Sequence, residues 1–209
     1  MSWHGLRVVP ETAIPWKIFN DAEFEVIFAT ENGKQPSCDD KMLSGVTGAL
    51  LGATRKAKDA YQSLIKTSSF QSPLAWTDAS FDLNRFDLVF LPGGHEKSVR
   101  QVIDSSKVHQ LIASYFPKTK KPSNKSIAAI CHGVQVLASS SQEDGKSVIH
   151  DAETTALPTT FEESIFQSTR IFLGDYYKTY GAGSPSVQRV VTSKLDDPSQ
   201  FKCSLGPTP

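Results

Sequence analysis

Two short apolar runs constrain the fold of this chain more than any other feature. "FDLVFLPGG" (86–94) and "SIAAICHG" (126–133) are nearly continuous in apolar residues where a strand is expected. A strand reads that way when both of its faces are covered, as in the middle of a parallel sheet. Each run ends in small or reactive residues: Pro92-Gly93-Gly94 in the first, Cys131-His132-Gly133 in the second. Helical segments are predicted between them, around 98–104 and 107–115. Strands alternating with helices imply a parallel sheet with helices on both faces. Ligands of such sheets bind beyond the carboxyl ends of the strands. If the two strands are neighbours, their ends meet at one site.

The rest of the chain continues the alternation. Residues 10–22 read as a helix, with Ile14, Ile18, Phe19 and Ala22 at helical spacing and Pro15 tolerated in a first turn. "FEVIFAT" (24–30) reads as a strand, 48–66 as a helix, and the Ser-rich "TSSFQSP" (67–73) as a loop. A helix is expected to run on from Gly133 to 139, and "KSVIH" (146–150) is a further strand candidate. Residues 159–173 form an amphipathic helix pattern, with Thr160 as N-cap and Glu163 completing a capping box. No internal repeat is present, and 209 residues suit one α/β domain spanning 1–209.

Composition removes several function classes. Lys plus Arg and Asp plus Glu both number 22, so the formal net charge is zero. Bulk charge therefore gives no reason to expect a nucleic-acid or membrane-surface partner. The basic stretch "KTKKPSNK" (118–125) lacks aromatic interleaving and reads as a solvated loop. The three cysteines, Cys38, Cys131 and Cys203, are widely spaced with no C-x-x-C pair, which fits reduced thiols in the cytoplasm better than a disulfide framework or a zinc ribbon. No run of eighteen apolar residues appears, and "MSWHGLRVVPET" lacks a signal peptide's apolar core. "GALLGATRK" lacks the Lys-Ser/Thr of a phosphate loop, "GAGSPS" (181–186) reads as a loop, and no H-E-x-x-H occurs. No metal site and no cofactor are expected.

The chemistry concentrates at "AICHG". A lone cysteine is most often an inert core residue. Cys131, however, sits where an apolar strand gives way to a helix, beside a glycine. That is the pattern of a nucleophile elbow, in which the reactive side chain occupies a strained corner above the sheet. The following helix directs its N-terminus at the corner, so the thiol is expected to be more acidic than usual. Such a nucleophile needs a base. His132 is adjacent, His150 ends the next expected strand, and His95 follows the glycine turn; His4 and His109 read as bystanders. The N–H groups of Gly93 and Gly94, with that of His132, suit an oxyanion hole. Gly133 leaves room for backbone to approach the strand.

These residues, taken in order, resemble the DJ-1/ThiJ/PfpI superfamily, related in fold to class I glutamine amidotransferases. "PETAIPWKIFNDAEFEVIFAT" is similar to the family's Glu-Thr-x-Ile-Pro helix and strand, "FDLVFLPGGH" to its Pro-Gly-Gly strand, "AAICHGVQVLA" to its elbow in the Cys-His-Gly form, and "GKSVIH" to the strand after it. The resemblance implies a flavodoxin-like three-layer α/β/α sandwich with a mostly parallel sheet, a helical extension over 155–209, and commonly a homodimer. It implies that Glu11, otherwise an acid complementing a helix dipole, donates a hydrogen bond to the Cys131 thiolate as a protonated carboxyl. Only "LRVV" precedes Glu11 and the chain stops at "CSLGPTP", so a domain shortened at both ends is expected. The third member of a Cys-His-acid triad is unplaced among Glu96, Asp151, Glu153 and a partner subunit's acid.

Three activities follow from the resemblance. The first is glyoxalase III-like processing of small reactive carbonyls without a cofactor: Cys131 attacks the aldehyde of methylglyoxal, His132 or His150 shuttles the proton, Glu11 tunes the thiolate, and lactate leaves. The second is a redox-sensing, chaperone-like stress protein in which Cys131 is oxidised to sulfinate. The third is a cysteine hydrolase or hydratase, such as an amidase, peptidase or isocyanide hydratase. An amidotransferase fits less well, because no His-x-Glu pair lies near the C-terminus.

Overall fold

The computed structural model describes residues 9–36 and 54–203. They form two compact units, one ending at Asp82 and the other beginning at Leu83. The segment "LRVV" apart from Val9, the first residues of the 48–66 helix, Cys38, His4 and the last six residues lie outside the described residues.

In the first unit, α1 (Val9–Asp21) matches the expected helix to within a residue at each end. Its buried face runs through Ala13 and Trp16, with Ile14 partly covered, while Ile18 is exposed. Pro15 lies inside the helix and not in its first turn. Its ring removes the N–H that would reach the Glu11 carbonyl. Glu11 itself occupies the first turn. α2 (Arg55–Leu64) turns Ala57, Ala60 and Leu64 inward at helical spacing and packs against α1. Thr54 caps it, accepting a 3.3 Å bond from the Ala57 N–H.

The strand expected over 24–30 shrinks to β1 (Ala29–Thr30), paired in parallel with β2 (Leu74–Ala75), a strand the sequence reading lacked. The alternation within 24–28 is nonetheless physical. Val26 and Phe28 pack on the core, and Phe24 and Ile27 face outward. The stretch expected as a loop contains one helical turn, α3 (Ser68–Gln71). It forms because Phe70 is drawn into the core, edge-on to Phe28 at 5.3 Å and to Tyr61 at 6.3 Å.

In the second unit the two apolar runs become neighbours. β3 (Leu88–Leu91) pairs in parallel with β4 (Ser126–Ala129), Leu88 opposite Ser126 and Leu91 opposite Ala129. Between them lie α4 (Arg100–Ile103) and α5 (Ser106–Tyr115). Ser105 caps α5, and Val108, Ile112 and Tyr115 bury one face of it. The Tyr115 hydroxyl lies 3.1–3.2 Å from the carbonyls of Phe86, Asp87 and Ser126, and so ties the starts of both strands together. α6 (Val134–Ser139) is buried almost all round, as a helix in a covered layer must be.

Two expectations in this unit fail. "KSVIH" is not a strand: Ser147 makes one antiparallel bridge to Ser141, and residues 148–150 form a turn, closed by the His150 N–H on the Ser147 carbonyl at 3.0 Å. Val148 and Ile149 are buried all the same. The apolar run registered burial, and burial alone does not choose between strand and turn. α7 spans Thr159–Leu173 as expected, but Pro158 and not Thr160 stands at the N-cap, with no side-chain cap bond. Glu163 instead reaches Lys178. α8 (Val187–Thr192) follows, capped by Ser186. No helix among the described residues is long and apolar enough to cross a membrane.

Candidate active site

The parallel register brings the ends of β3 and β4 side by side. The ladder continues one step past β4, with the Ile130 N–H on the Leu91 carbonyl at 3.2 Å. The chain then turns abruptly. Cys131 adopts φ +54°, a left-handed conformation that costs a side-chain-bearing residue on the order of 1–2 kcal/mol. A short 3-10 turn, Cys131–Gly133, leads straight into α6, and the Gly133 N–H closes it on the Ile130 carbonyl at 2.8 Å.

Gly133 has an ordinary helical φ of −58°, so its need is for space and not for conformational freedom. A Cβ there would overlap the Leu91 carbonyl oxygen and lie 2.9 Å from that of Pro92. The backbone of one strand end therefore presses on the elbow of the other. Gly93 and Gly94 are buried at that same strand end, and Gly94 has φ +132°, which glycine alone adopts at ease.

Cys131 is half-buried and forms no disulfide. Its Sγ lies 3.3 Å from Nδ1 of His132. The His132 side chain is 2% exposed. Burial, reinforced by the neighbouring His95 and the positive charge of Lys178, pushes its pKa down to about 3. The imidazole is therefore neutral at physiological pH. A ring of so low a pKa is a weak base, so it can pass the thiol's proton on only in concert with bond formation at sulfur, and it is not a standing cation beside it.

His95 lies close enough to act on His132 electrostatically. Its ring packs against Tyr176 and Tyr177, with centroids 4.8 and 4.3 Å away, and its carbonyl accepts the Thr179 hydroxyl at 2.8 Å. His150 is turned to another task. Its Nδ1 lies 2.8 Å from Asp196, whose carboxylate also holds Lys146 at 2.9 Å. The three acids considered for a triad each have a local partner: Glu96 accepts from the Ser98 N–H at 2.7 Å, Asp151 pairs with Lys120 at 3.4 Å, and Glu153 with Lys202 at 3.1 Å. Glu11 belongs to the first unit.

The structure adds a cluster that sequence reading missed. Lys178, 2% exposed, is held by Glu162 at 3.0 Å and Glu163 at 2.6 Å. Burial opposes its charge, yet the bonds to Glu163 and Glu162 hold its pKa above the ordinary lysine value. The second oxygen of Glu162 accepts from the Val187 N–H at 2.9 Å. One signal was available in the sequence. Glu162 lies four residues before Phe166, so a carboxylate shares the inward stripe of α7 with an aromatic ring, and both are buried.

A cysteine on a strained strand-to-helix corner, at the carboxyl end of a parallel strand pair, defines an α/β protein of the nucleophile-elbow kind. The family described as ThiJ/PfpI family-like matches residues 1–204, and the chain belongs to it. Among curated proteins, an uncharacterized protein of Schizosaccharomyces pombe is 36% identical over 134 residues, 64% of this chain and 47% of that protein. A glutathione-independent glyoxalase of the same yeast is 25% identical over 157 residues, 73% of this chain and 59% of that protein. The chain spans about half the length of the curated relatives it matches. Among solved structures, glyoxalase III from Candida albicans superposes with a TM-score of 0.64 at 15% identity, covering 99% of this chain and 81% of that one. The Rapid Encystment Protein 24 kDa of Francisella tularensis gives 0.62 at 16% identity, covering 97% and 81%. These likenesses establish the fold, an α/β sandwich of the flavodoxin-like type.

Proposed function

We propose that the protein processes small reactive carbonyls through Cys131, converting methylglyoxal and water to lactate without glutathione. The observation that carries this reading is the pairing of a strained, half-buried Cys131 with a neutral His132 at 3.3 Å. The glyoxalase names among the relatives and the solved structures point the same way.

In this reading Sγ adds to the aldehyde carbon while the thiol proton passes to Nδ1 of His132. The carbonyl π pair moves to oxygen, which takes the proton back and leaves a hemithioacetal. Transfer of the hydrogen from the former aldehyde carbon to the neighbouring carbonyl carbon, with the hydroxyl proton of the first passing to the oxygen of the second, gives the lactoyl thioester; the first carbon is oxidised and the second reduced, so no outside redox partner is needed. Water cleaves the thioester, releasing lactate and the thiol. His132 is a better candidate shuttle than His150, whose Nδ1 is engaged by Asp196. Gly93 and Gly94 are proposed to hold the oxyanion.

The test is lactate formation from methylglyoxal in the absence of glutathione. Cys131→Ala is expected to lower turnover by roughly three orders of magnitude while remaining folded. Lactate formed at the wild-type rate by the variant removes the reading. So does a folded wild type that forms none, which returns the weight to redox sensing or to a hydrolase.

A further inference from the structure

The buried Lys178 stands outside the proposed mechanism, yet the residues on either side of it touch the site. Tyr176 and Tyr177 precede it and pack on the His95 ring; Thr179 follows it and bonds the His95 carbonyl at 2.8 Å. Lys178 points the other way, into Glu162 and Glu163 on α7, with its ammonium 5.6 Å from the centre of the Phe166 ring. Glu162 is in turn anchored to the first N–H of α8. A four-residue stretch is thus gripped from behind by two carboxylates and presses forward on the turn that follows β3.

We propose that Lys178, Glu162 and Glu163 form a clasp that holds residues 176–179 against His95 and keeps His132 out of water, which makes Lys178 a positioning residue of the Cys131–His132 site. Three observations agree on this. Lys178 and Glu162 are buried, at 2% and 5% exposure, a placement that ionised side chains tolerate only when paired and hydrogen-bonded. The bonds of the clasp and those of the 176–179 stretch join in one unbroken path from α8 through α7 to His95. His132 is itself 2% exposed, and Lys178 lies near enough for its charge to act on the imidazole. The inference rests on the proposed carbonyl chemistry only where turnover is the readout.

The titratable groups that act on His132 are Cys131, 3.3 Å from its Nδ1, His95 after β3, and the charge of Lys178, which Glu162 and Glu163 hold. The experiment follows the His132 imidazole by NMR across pH and methylglyoxal turnover in parallel. Lys178→Met alone strands a buried carboxylate, so the main variant is E162Q/K178M, which removes both charges and leaves an acceptor for the Val187 N–H. In the wild type His132 is expected to stay neutral down to about pH 4, and in the variant to titrate near the ordinary value of about 6.5. Turnover is expected to fall about tenfold or more, and Lys178→Arg to retain it.

Thr179→Val, which removes only the bond to the His95 carbonyl, serves if the double variant does not fold. It is expected to shift both readouts in the same direction. A folded variant in which His132 stays silent overturns the clasp. A raised titration with unchanged turnover overturns the positioning role. If the wild type forms no lactate, the proposed function fails while the titration still decides the clasp.

Discussion

Cys131 is held at φ +54°, where a Cβ is unwelcome, and strain of this kind persists only where the surroundings impose it. Here they are the ladder ending at Ile130 and the buried α6. The strain makes a measurable claim. Cys131→Gly relieves it and Cys131→Ala does not, so the glycine variant is expected to be about 1 kcal/mol more stable than the alanine variant in urea unfolding, with both inactive. Two residues on, the logic reverses. Gly133→Ala places a methyl against the backbone of Leu91 and Pro92, which cannot step aside as a side-chain tip can. It is expected to cost about 3 kcal/mol by denaturant midpoint and to displace the elbow. The residue types at this corner announced a tight junction in the sequence. Which residue bears the strain and which one needs the space became visible only with the backbone in place.

Elements differ in how plainly they were written. α1, α5 and α7 were legible because their polar and apolar residues recur at a spacing that a helix alone satisfies. β3 and β4 were legible as a parallel pair from their apolar runs, but the expected cover on both faces did not follow: β3 alternates half-buried and buried residues, and β4 is half-buried with Ala128 exposed. The 146–150 segment carried the same apolar signal and became a turn, because only Ser147 found a bridging partner. The pairing of β3 with β4 depends on a tie that no local pattern shows, the Tyr115 hydroxyl among three strand carbonyls. Tyr115→Phe is expected to lower stability by about 1 kcal/mol, the usual net worth of a lost hydrogen bond, because the Phe86 and Asp87 carbonyls keep donors in Lys125 and the Ser126 N–H. For α7, Lys178→Met alone is expected to cost about 3–5 kcal/mol, because it strands the buried Glu162 carboxylate. Calorimetric unfolding of each variant checks both figures.

At the scale of the whole molecule, the buried His132 makes stability depend on pH. Its pKa falls from 6.5 in the unfolded chain to about 3 in the fold, so between those values the unfolded chain binds the extra proton. Stability is therefore fully present above about pH 6.5. It declines as the pH falls towards 3, with a slope reaching about 1.4 kcal/mol per pH unit. Asp78, Asp196 and Asp197, whose pKa values are lowered by hydrogen bonds from Ser80, Lys146 and Ser199, add their own loss only below their unfolded value of 3.8. Denaturant unfolding between about pH 4 and 6.5 covers the window in which the histidine contributes. His132→Gln is expected to flatten that limb, and an unchanged slope counts against a buried neutral imidazole.

The sequence by itself determined the α/β alternation, the strands β3 and β4, the cysteine just past the end of one of them, and a family resemblance that the match over residues 1–204 bears out. All of these depend on short-range pattern: periodicity, a glycine beside a turn, a motif of a few residues. Only the tertiary structure decided that Thr160 caps nothing, that His150 serves Asp196, and that Lys178 meets Glu162 and Glu163 sixteen and fifteen residues back along the chain. The physical reason is that a side chain's hydrogen-bond partner and its exposure to water are set by which elements pack together, and neither propensity nor spacing encodes that.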